Sequence, residues 1–258
     1  PAHKLNTPAV ILKIGRAWEK FLINKADKVI TVCQSISEHL SKLYSIRPPE
    51  VIRNIPGYFH TEKTDLFRQE FGIDASQKVV LYQGNLSNGR GLTYLVRSMK
   101  YVPNGVLMLM GNGNMKDQLK KIVNQNNLTG RVFFKEAVPP TQVIKYTCSA
   151  DIGVSPIENI CLSYYFSLPN KLFEYIMAKI PIAASDFPEM RRVVEEDDIG
   201  MLFDPSDIKD IARVLNLMIE DTVLYGHFLD NIKRIEKKYS WEQEAEKLLC
   251  IYNSLINE

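Results

Sequence analysis

Between residues 79 and 203, six short β-branched apolar runs alternate with segments of helical period. That alternation constrains the fold more than anything else in the chain. The runs fall at 79–83, 106–110, 132–135, 152–155, 180–185 and 200–203, and helices are expected at 92–100, 115–125, 140–147, 170–178 and 188–195. A strand that is apolar along its whole length is buried on both faces. Strands that alternate with helices read as a parallel sheet covered on both sides. The expected class is α/β, a doubly wound Rossmann-like sheet, and such sheets bind ligands at the carboxyl ends of their strands. After Pro205 the periodicity turns purely helical, with helices expected at 206–220, 222–237 and 241–256.

Residues 1–56 differ in kind. The segment 9–24 sets basic residues between apolar ones at helical spacing, 28–33 and 50–53 read as strands, and 36–44 reads as a helix. By default an amphipathic helix like 9–24 packs on a core. The same pattern suits a helix lying on an anionic membrane surface. The chain starts at Pro1, and its first residues look like the interior of a larger protein.

Composition removes several function classes. With 32 basic and 30 acidic residues the net charge is +2, which gives no support for a nucleic-acid partner. No run approaches the roughly 20 apolar residues of a membrane span, and no leader pattern opens the chain. Cys33, Cys148, Cys161 and Cys250 form no C-x-x-C pair and, with the scattered His3, His39, His60 and His227, give no zinc spacing. Buried, reduced thiols in a cytoplasmic protein are the expectation.

The most informative local motif is Leu168-Pro169-Asn170-Lys171-Leu172-Phe173-Glu174-Tyr175. Proline ends a loop, and Asn170 is a good N-cap for the apolar-periodic segment behind it. The helix would present free N–H groups with Lys171 beside them and Glu174 one turn in. That set suits a phosphorylated ligand with hydroxyls further along. The same residues also fit a capped amphipathic helix whose Lys and Glu face water.

"LPNKLFEYIMAKIPIAASDFPEMRRVV" resembles the donor-site segment of GT-B glycosyltransferases of the large retaining family numbered four. "VVLYQGNLSNGRGL" (79–92), "VLMLMGNGNMKDQLKKIV" (106–123), "RVFFKEAVPPTQVIKYTCSADIGVSP" (131–156) and "YSWEQEAEKLLCIYNSL" (239–255) resemble its other segments in the same order. The resemblance implies a C-terminal nucleotide-sugar-binding domain at 57–258, closing helices included. It implies that 1–56 is a remnant of the acceptor-side domain and its crossover. It also implies that the closing helix crosses back to the N-terminal domain, so that its apolar face would be exposed in this chain.

The implied function is transfer of a sugar from a UDP-sugar or GDP-sugar to a glycan or lipid-linked acceptor, with retention, in cell-surface polysaccharide synthesis. The implied place is the cytoplasm, or the periphery of the inner membrane face. No cofactor and no metal are expected. Donor contacts carry over to Gly84, Asn85, Arg90 and Gly91 in the first loop, and to Asn170, Lys171 and Glu174 on the helix. The base would meet the backbone of Ala137 and Val138. Gly84 allows close backbone approach, and Arg90 brings a permanent charge to the diphosphate.

Two departures mark a subgroup. Asn85 stands where an arginine is frequent, and Phe166 stands where many members have the first of two glutamates. Glu174 matches the second glutamate, which binds ribose hydroxyls. The resemblance assigns no nucleophile or general base, and this chain alone is expected to show little or no transfer. The alternatives are an epimerase of the same fold, a non-catalytic nucleotide-binding module, and an NAD enzyme resting on "GNGN" at 111–114. A full dinucleotide fingerprint needs a third glycine where Lys116 stands.

Overall fold

The computed structural model describes residues 9–256. The elements run α1 (Ala9–Ile23), β1 (Ile30–Thr31), α2 (Gln34–Tyr44), β2 (Glu50–Val51), α3 (Leu66–Phe71), β3 (Lys78–Gln83), α4 (Leu92–Ser98), β4 (Gly105–Met110), α5 (Lys116–Gln125), β5 (Val132–Lys135) and α6 (Pro140–Thr147). They continue β6 (Ile152–Ser155), α7 (Leu162–Tyr165), α8 (Lys171–Met177), β7 (Ile182–Ser185), α9 (Pro188–Glu196), β8 (Gly200–Phe203), α10 (Ile208–Glu220), α11 (Thr222–Ile235) and α12 (Trp241–Ile256). They gather into two units. One is Ile55–Ser240; the other joins the residues before it to those from Trp241 onward. The closing helix α12, read from sequence as part of 57–258, thus belongs with the N-terminal segment.

In the Ile55–Ser240 unit all six strands are parallel, in the order β5-β4-β3-β6-β7-β8. Alternate residues of each strand enter opposite cores, as the pleat requires. Val80, Tyr82, Leu107, Leu109, Ile152 and Val154 face one core, with Leu95, Leu119 and Leu215 from α4, α5 and α10. Val79, Leu81, Val106, Met108, Ile182 and Ala184 face the other, with Phe173, Ile176 and Met190 from α8 and α9. This is the doubly wound sheet expected from the alternation.

α3 and α7 had no counterpart in that reading. α3 is only six residues long, too short to show a helical period, and ends on Gly72 in the left-handed region (φ 64°). Asp207 caps α10 through the Lys209 N–H (2.8 Å), while Asp204 orders the preceding turn through the Ser206 N–H (2.8 Å).

In the other unit, β1 and β2 pair in parallel. The expected burial of α1 is not met: Trp18 and Phe21 are more than half exposed. On α12, Leu249 and Tyr252 are exposed as well. The thiol expectation needs a similar correction. Cys33 and Cys148 are buried, but Cys161, just before α7, and Cys250, on α12, are exposed. Among the described residues no helix is long and apolar enough to cross a membrane.

Candidate functional site

The strand order reverses direction at β3. β4 and β5 extend the sheet to one side, and the chain then returns to place β6 on the other. Loops leaving the sheet at such a point diverge and open a crevice. Here the crevice is a cavity of about 530 Å³. Its walls are the loops after β3, β4 and β5 and the start of α8, including Tyr82, Gln83, Gly84, Asn85, Arg90 and Lys171.

The floor comes from backbone sewn to backbone. Past the ends of β3 and β4, the Gly84 N–H donates to the Met110 carbonyl (3.0 Å), and the Leu86 N–H to that of Asn112 (2.9 Å). A Cβ on Gly111 (φ 145°) would lie 2.0 Å from the Gly84 oxygen, so only glycine permits this approach. The "GNGN" turn therefore exists to bring two loops together, and Gly111 and Asn112 line the cavity. That accounts for its glycines without a dinucleotide.

Arg90 stands between Gly89 (φ 79°) and Gly91 (φ 67°), both left-handed. A Cβ on Gly91 would meet the Pro156 oxygen at 1.7 Å, and the Gly91 N–H donates to Glu158 Oε1 (3.0 Å). Gly91, carried over as a ligand residue, is thus outside the cavity lining and fastens the loop instead. The loop so fixed holds the Arg90 guanidinium 5.0 Å from the centre of the Tyr164 ring. Its Nε is buried with no hydrogen-bond partner.

At α8 the sequence reading needs one correction. Asn170 has helical dihedrals (φ −52°, ψ −32°), and its side chain makes no cap. A residue already in the helical region cannot swing its amide back over the first turn. The helix start is held instead by the Leu172 N–H donating to the Pro169 carbonyl (3.0 Å), and Asn170 is exposed on the cavity wall.

Lys171 follows it and is buried, its Nζ 3.7 Å from the centre of the Tyr82 ring. That distance is a close cation–π contact. A Cβ on Gly84 would lie 3.7 Å from the same Nζ, so the ammonium rests against the first loop. No carboxylate of the described residues forms an ion pair with Lys171 or Arg90. Burial, and then the charge of Arg90, lower the Lys171 pKa to about 7, while Glu174 opposes them.

One turn on, Glu174 is half-buried. Burial pushes its carboxyl above the ordinary value, against the Gln83 amide and Lys171. Gln83 Nε2 donates to Glu174 Oε2, and Thr147 Oγ1 lies 2.7 Å from Gln83 Oε1.

Ala137 and Val138, in the loop after β5, line the same cavity. Eight of the nine residues expected at the site (Gly84, Asn85, Arg90, Ala137, Val138, Asn170, Lys171, Glu174) therefore line one cavity. Phe166 is not among its lining residues and ends α7. Sequence reasoning missed Tyr82, Gln83 and Tyr164. Gln83 carried a usable signal, a polar amide closing an otherwise apolar central strand. Tyr82 and Tyr164 read only as core aromatics.

The fold and this cavity define an α/β domain that gathers two cations and an acid at the carboxyl edge of its sheet. The model of the family Glycosyl transferases group 1 matches residues 63–239, and the chain belongs to that family.

An uncharacterized glycosyltransferase of Methanocaldococcus jannaschii is 24% identical over 253 residues, covering 93% of this chain and 63% of its own length. The Staphylococcus aureus poly(ribitol-phosphate) alpha-N-acetylglucosaminyltransferase is 24% identical over 251 residues, covering 92% and 46%. The chain thus spans roughly half to two thirds of these curated relatives.

Among solved structures, Anabaena HepE in complex with UDP superposes with a TM-score of 0.82 at 19% identity, covering 98% of this chain and 71% of that one. Sucrose-phosphate synthase of Thermosynechococcus elongatus gives 0.81 at 21%, covering 95% and 62%. At that identity the likeness speaks for the fold, which is the Rossmann-like GT-B type.

Proposed function

We propose that this chain is the donor-binding part of a retaining glycosyltransferase that takes a sugar from a nucleoside-diphosphate sugar. The observation that carries the reading is the pair Arg90 and Lys171, two cations facing one cavity and forming no ion pair among the described residues. Buried charges are ordinarily paired, so an unpaired pair calls for an anion from outside.

A diphosphate supplies it. As the glycosidic bond breaks, negative charge grows on the leaving phosphate, and preset cations stabilise that charge more than the ground state. Glu174, one turn further along α8, is placed to accept from ribose hydroxyls, and the backbone of Ala137 and Val138 to meet the base. In this reading the leaving-group charge is met by Arg90 and Lys171 without a metal, and the acceptor is a glycan or a lipid-linked glycan.

The UDP held by HepE, a protein of the same fold, supports UDP as the first nucleotide to test. A cytoplasmic place beside the inner membrane face fits α1, where exposed Ile14, Trp18 and Phe21 sit among Lys13, Arg16 and Lys20. Phe166 in place of an acid speaks against the epimerase, which needs acids around the sugar ring. The retained Arg90, Lys171 and Glu174 speak against an empty module.

Calorimetric titration of UDP and GDP into the native chain, Arg90→Ala and Glu174→Ala tests the reading. One nucleotide is expected to bind, and each substitution to weaken it about tenfold or more, the range for a charge-assisted hydrogen bond. No binding by folded native protein would sink it.

A further inference from the structure

We propose that Gln83 is the specificity-determining positioning residue of the donor site, holding Glu174 so that the site selects ribose over deoxyribose. The inference rests on the donor reading above and deepens it.

An ionised carboxylate only accepts hydrogen bonds, so Gln83 must turn its NH₂ toward Glu174 and its oxygen the other way. The structure shows that arrangement: Nε2 donates to Glu174 Oε2, and Oε1 faces Thr147 Oγ1 at 2.7 Å. Thr147 is wholly buried on α6, and its hydroxyl also lies 2.8 Å from the Val143 carbonyl. Gln83 is itself buried, and its backbone pairs with Met110 of β4 at the end of the central strand. The chain Thr147–Gln83–Glu174 therefore runs from a fixed helix through a fixed strand to a carboxylate on the cavity wall. One Glu174 oxygen is occupied by it. The other remains to accept from a sugar diol.

The consequence is chemical as well as geometric. Glu174 sits where burial favours its neutral form, and a neutral carboxyl would donate where the ribose needs an acceptor. The Gln83 N–H favours the ionised form and keeps the acceptor in place. Other titratable groups around Glu174 are Lys171 and Tyr175 on its own helix, Tyr82 and Arg90 in the same cavity, and His60, Glu62, Lys145 and Cys148, which line with it a second hollow of about 970 Å³. His60, Glu62, Lys145 and Cys148 form no hydrogen bond or ion pair with the Glu174 carboxylate. Among the described residues, Gln83 is therefore the side chain that both holds the Glu174 carboxylate by a hydrogen bond and favours its charge.

The test titrates UDP and 2′-deoxy-UDP into the native chain, Gln83→Met and Thr147→Val at one fixed pH. Native protein should prefer UDP about tenfold or more, as expected for a hydrogen bond to a charged group. Gln83→Met should cut that preference to about twofold. Thr147→Val, which touches no ligand, should fall between the two. A general loss of packing would weaken both nucleotides alike and leave the preference between them unchanged.

If the native chain binds UDP but Gln83→Met, folded by its melting profile, keeps the full preference, the inference fails alone. The same holds if Thr147→Val lowers both affinities equally. If folded native chain binds neither UDP nor GDP, the donor reading fails and this inference with it.

Discussion

Strands β3 and β6 lie side by side, and a cluster of buried charge stands at each end of the pair. At the amino end, Asp151 accepts from Val79 N–H (2.8 Å) and Arg68 Nη2 (2.8 Å) through one oxygen, and from Lys63 Nζ (3.3 Å) through the other. Burial would raise its pKa, yet Lys63, the Val79 N–H and Arg68 together hold it below the ordinary value. At the carboxyl end, Lys171 and Arg90 share a cavity in which neither forms an ion pair, Glu174 standing one turn away and bonded to Gln83. One cluster is complete within the chain, and the other is complete only with a ligand. The difference separates a charge that holds the sheet together from charges that wait for a substrate.

The largest effect expected is at the complete end. Asp151→Ala leaves Arg68 without its partner and Val79 N–H without an acceptor, at a cost of about 3–5 kcal/mol. For a domain of this size the melting temperature should drop by roughly 10 °C. Thermal unfolding followed by circular dichroism checks this, and UDP affinity of the folded fraction should be unchanged. A loss of UDP binding with unchanged stability would reverse the two roles.

Lys171→Met should behave the opposite way. Removing an unpaired buried amine relieves its desolvation, so stability at pH 7 should stay level or rise by about 1–3 kcal/mol. UDP affinity should fall about 10- to 100-fold, as for a charge-assisted contact. Functional sites commonly trade stability in this way. If denaturant melts and titrations fell together, Lys171 would be a structural residue and the contrast would vanish.

A pH series sharpens the same point. The Lys171 pKa is about 7 in the folded chain, and a lysine in unfolded chain titrates near 10.4. Between these values the unfolded state binds the extra proton, so stability rises with pH across that window. The slope is at most about 1.4 kcal/mol per pH unit, and urea melts at pH 7, 8 and 9 would show it. Asp151 has its window elsewhere. Its depressed pKa gives stability that is present above the usual carboxylate range and is lost on acidification. Lys171→Met should flatten the alkaline slope and leave the acid limb alone. A diphosphate in the cavity should draw a proton back onto Lys171, so at pH 8 the binding enthalpy should vary with the buffer's ionisation heat.

The sheet was legible in the sequence because burial on both faces leaves a mark that each strand carries by itself. The runs at 132–135, 152–155 and 200–203 match β5, β6 and β8 at both ends. The three loop regions and the α8 start were legible as motifs. Their internal geometry was not. Asn170 has the composition of a cap and the cap position, but its backbone is already helical and its side chain makes no cap, which depends on how Pro169 delivers the chain. Gly91 reads as a ligand glycine, yet its need for no side chain comes from Pro156, 65 positions later. The Thr147–Gln83–Glu174 chain joins three elements far apart in sequence, and no spacing announces such a contact.

The smallest effect expected concerns Asn85, an exposed neutral residue on the cavity wall where an arginine would add a third cation. Its carbonyl already accepts from Tyr82 Oη (2.8 Å), so the backbone is held and the side chain can be exchanged. Asn85→Arg should tighten UDP binding, but only about threefold to tenfold, because an exposed cation is screened and must be ordered. The gain should shrink as salt rises from 50 to about 500 mM, while the contribution of buried Lys171 should persist. The added charge should also disfavour the protonated form of Lys171 in the free chain, carrying its alkaline stability slope to lower pH. An unchanged affinity at low salt would mean that position 85 faces away from the phosphates, leaving Arg90 and Lys171 as the only cations of the site among the described residues that the diphosphate meets.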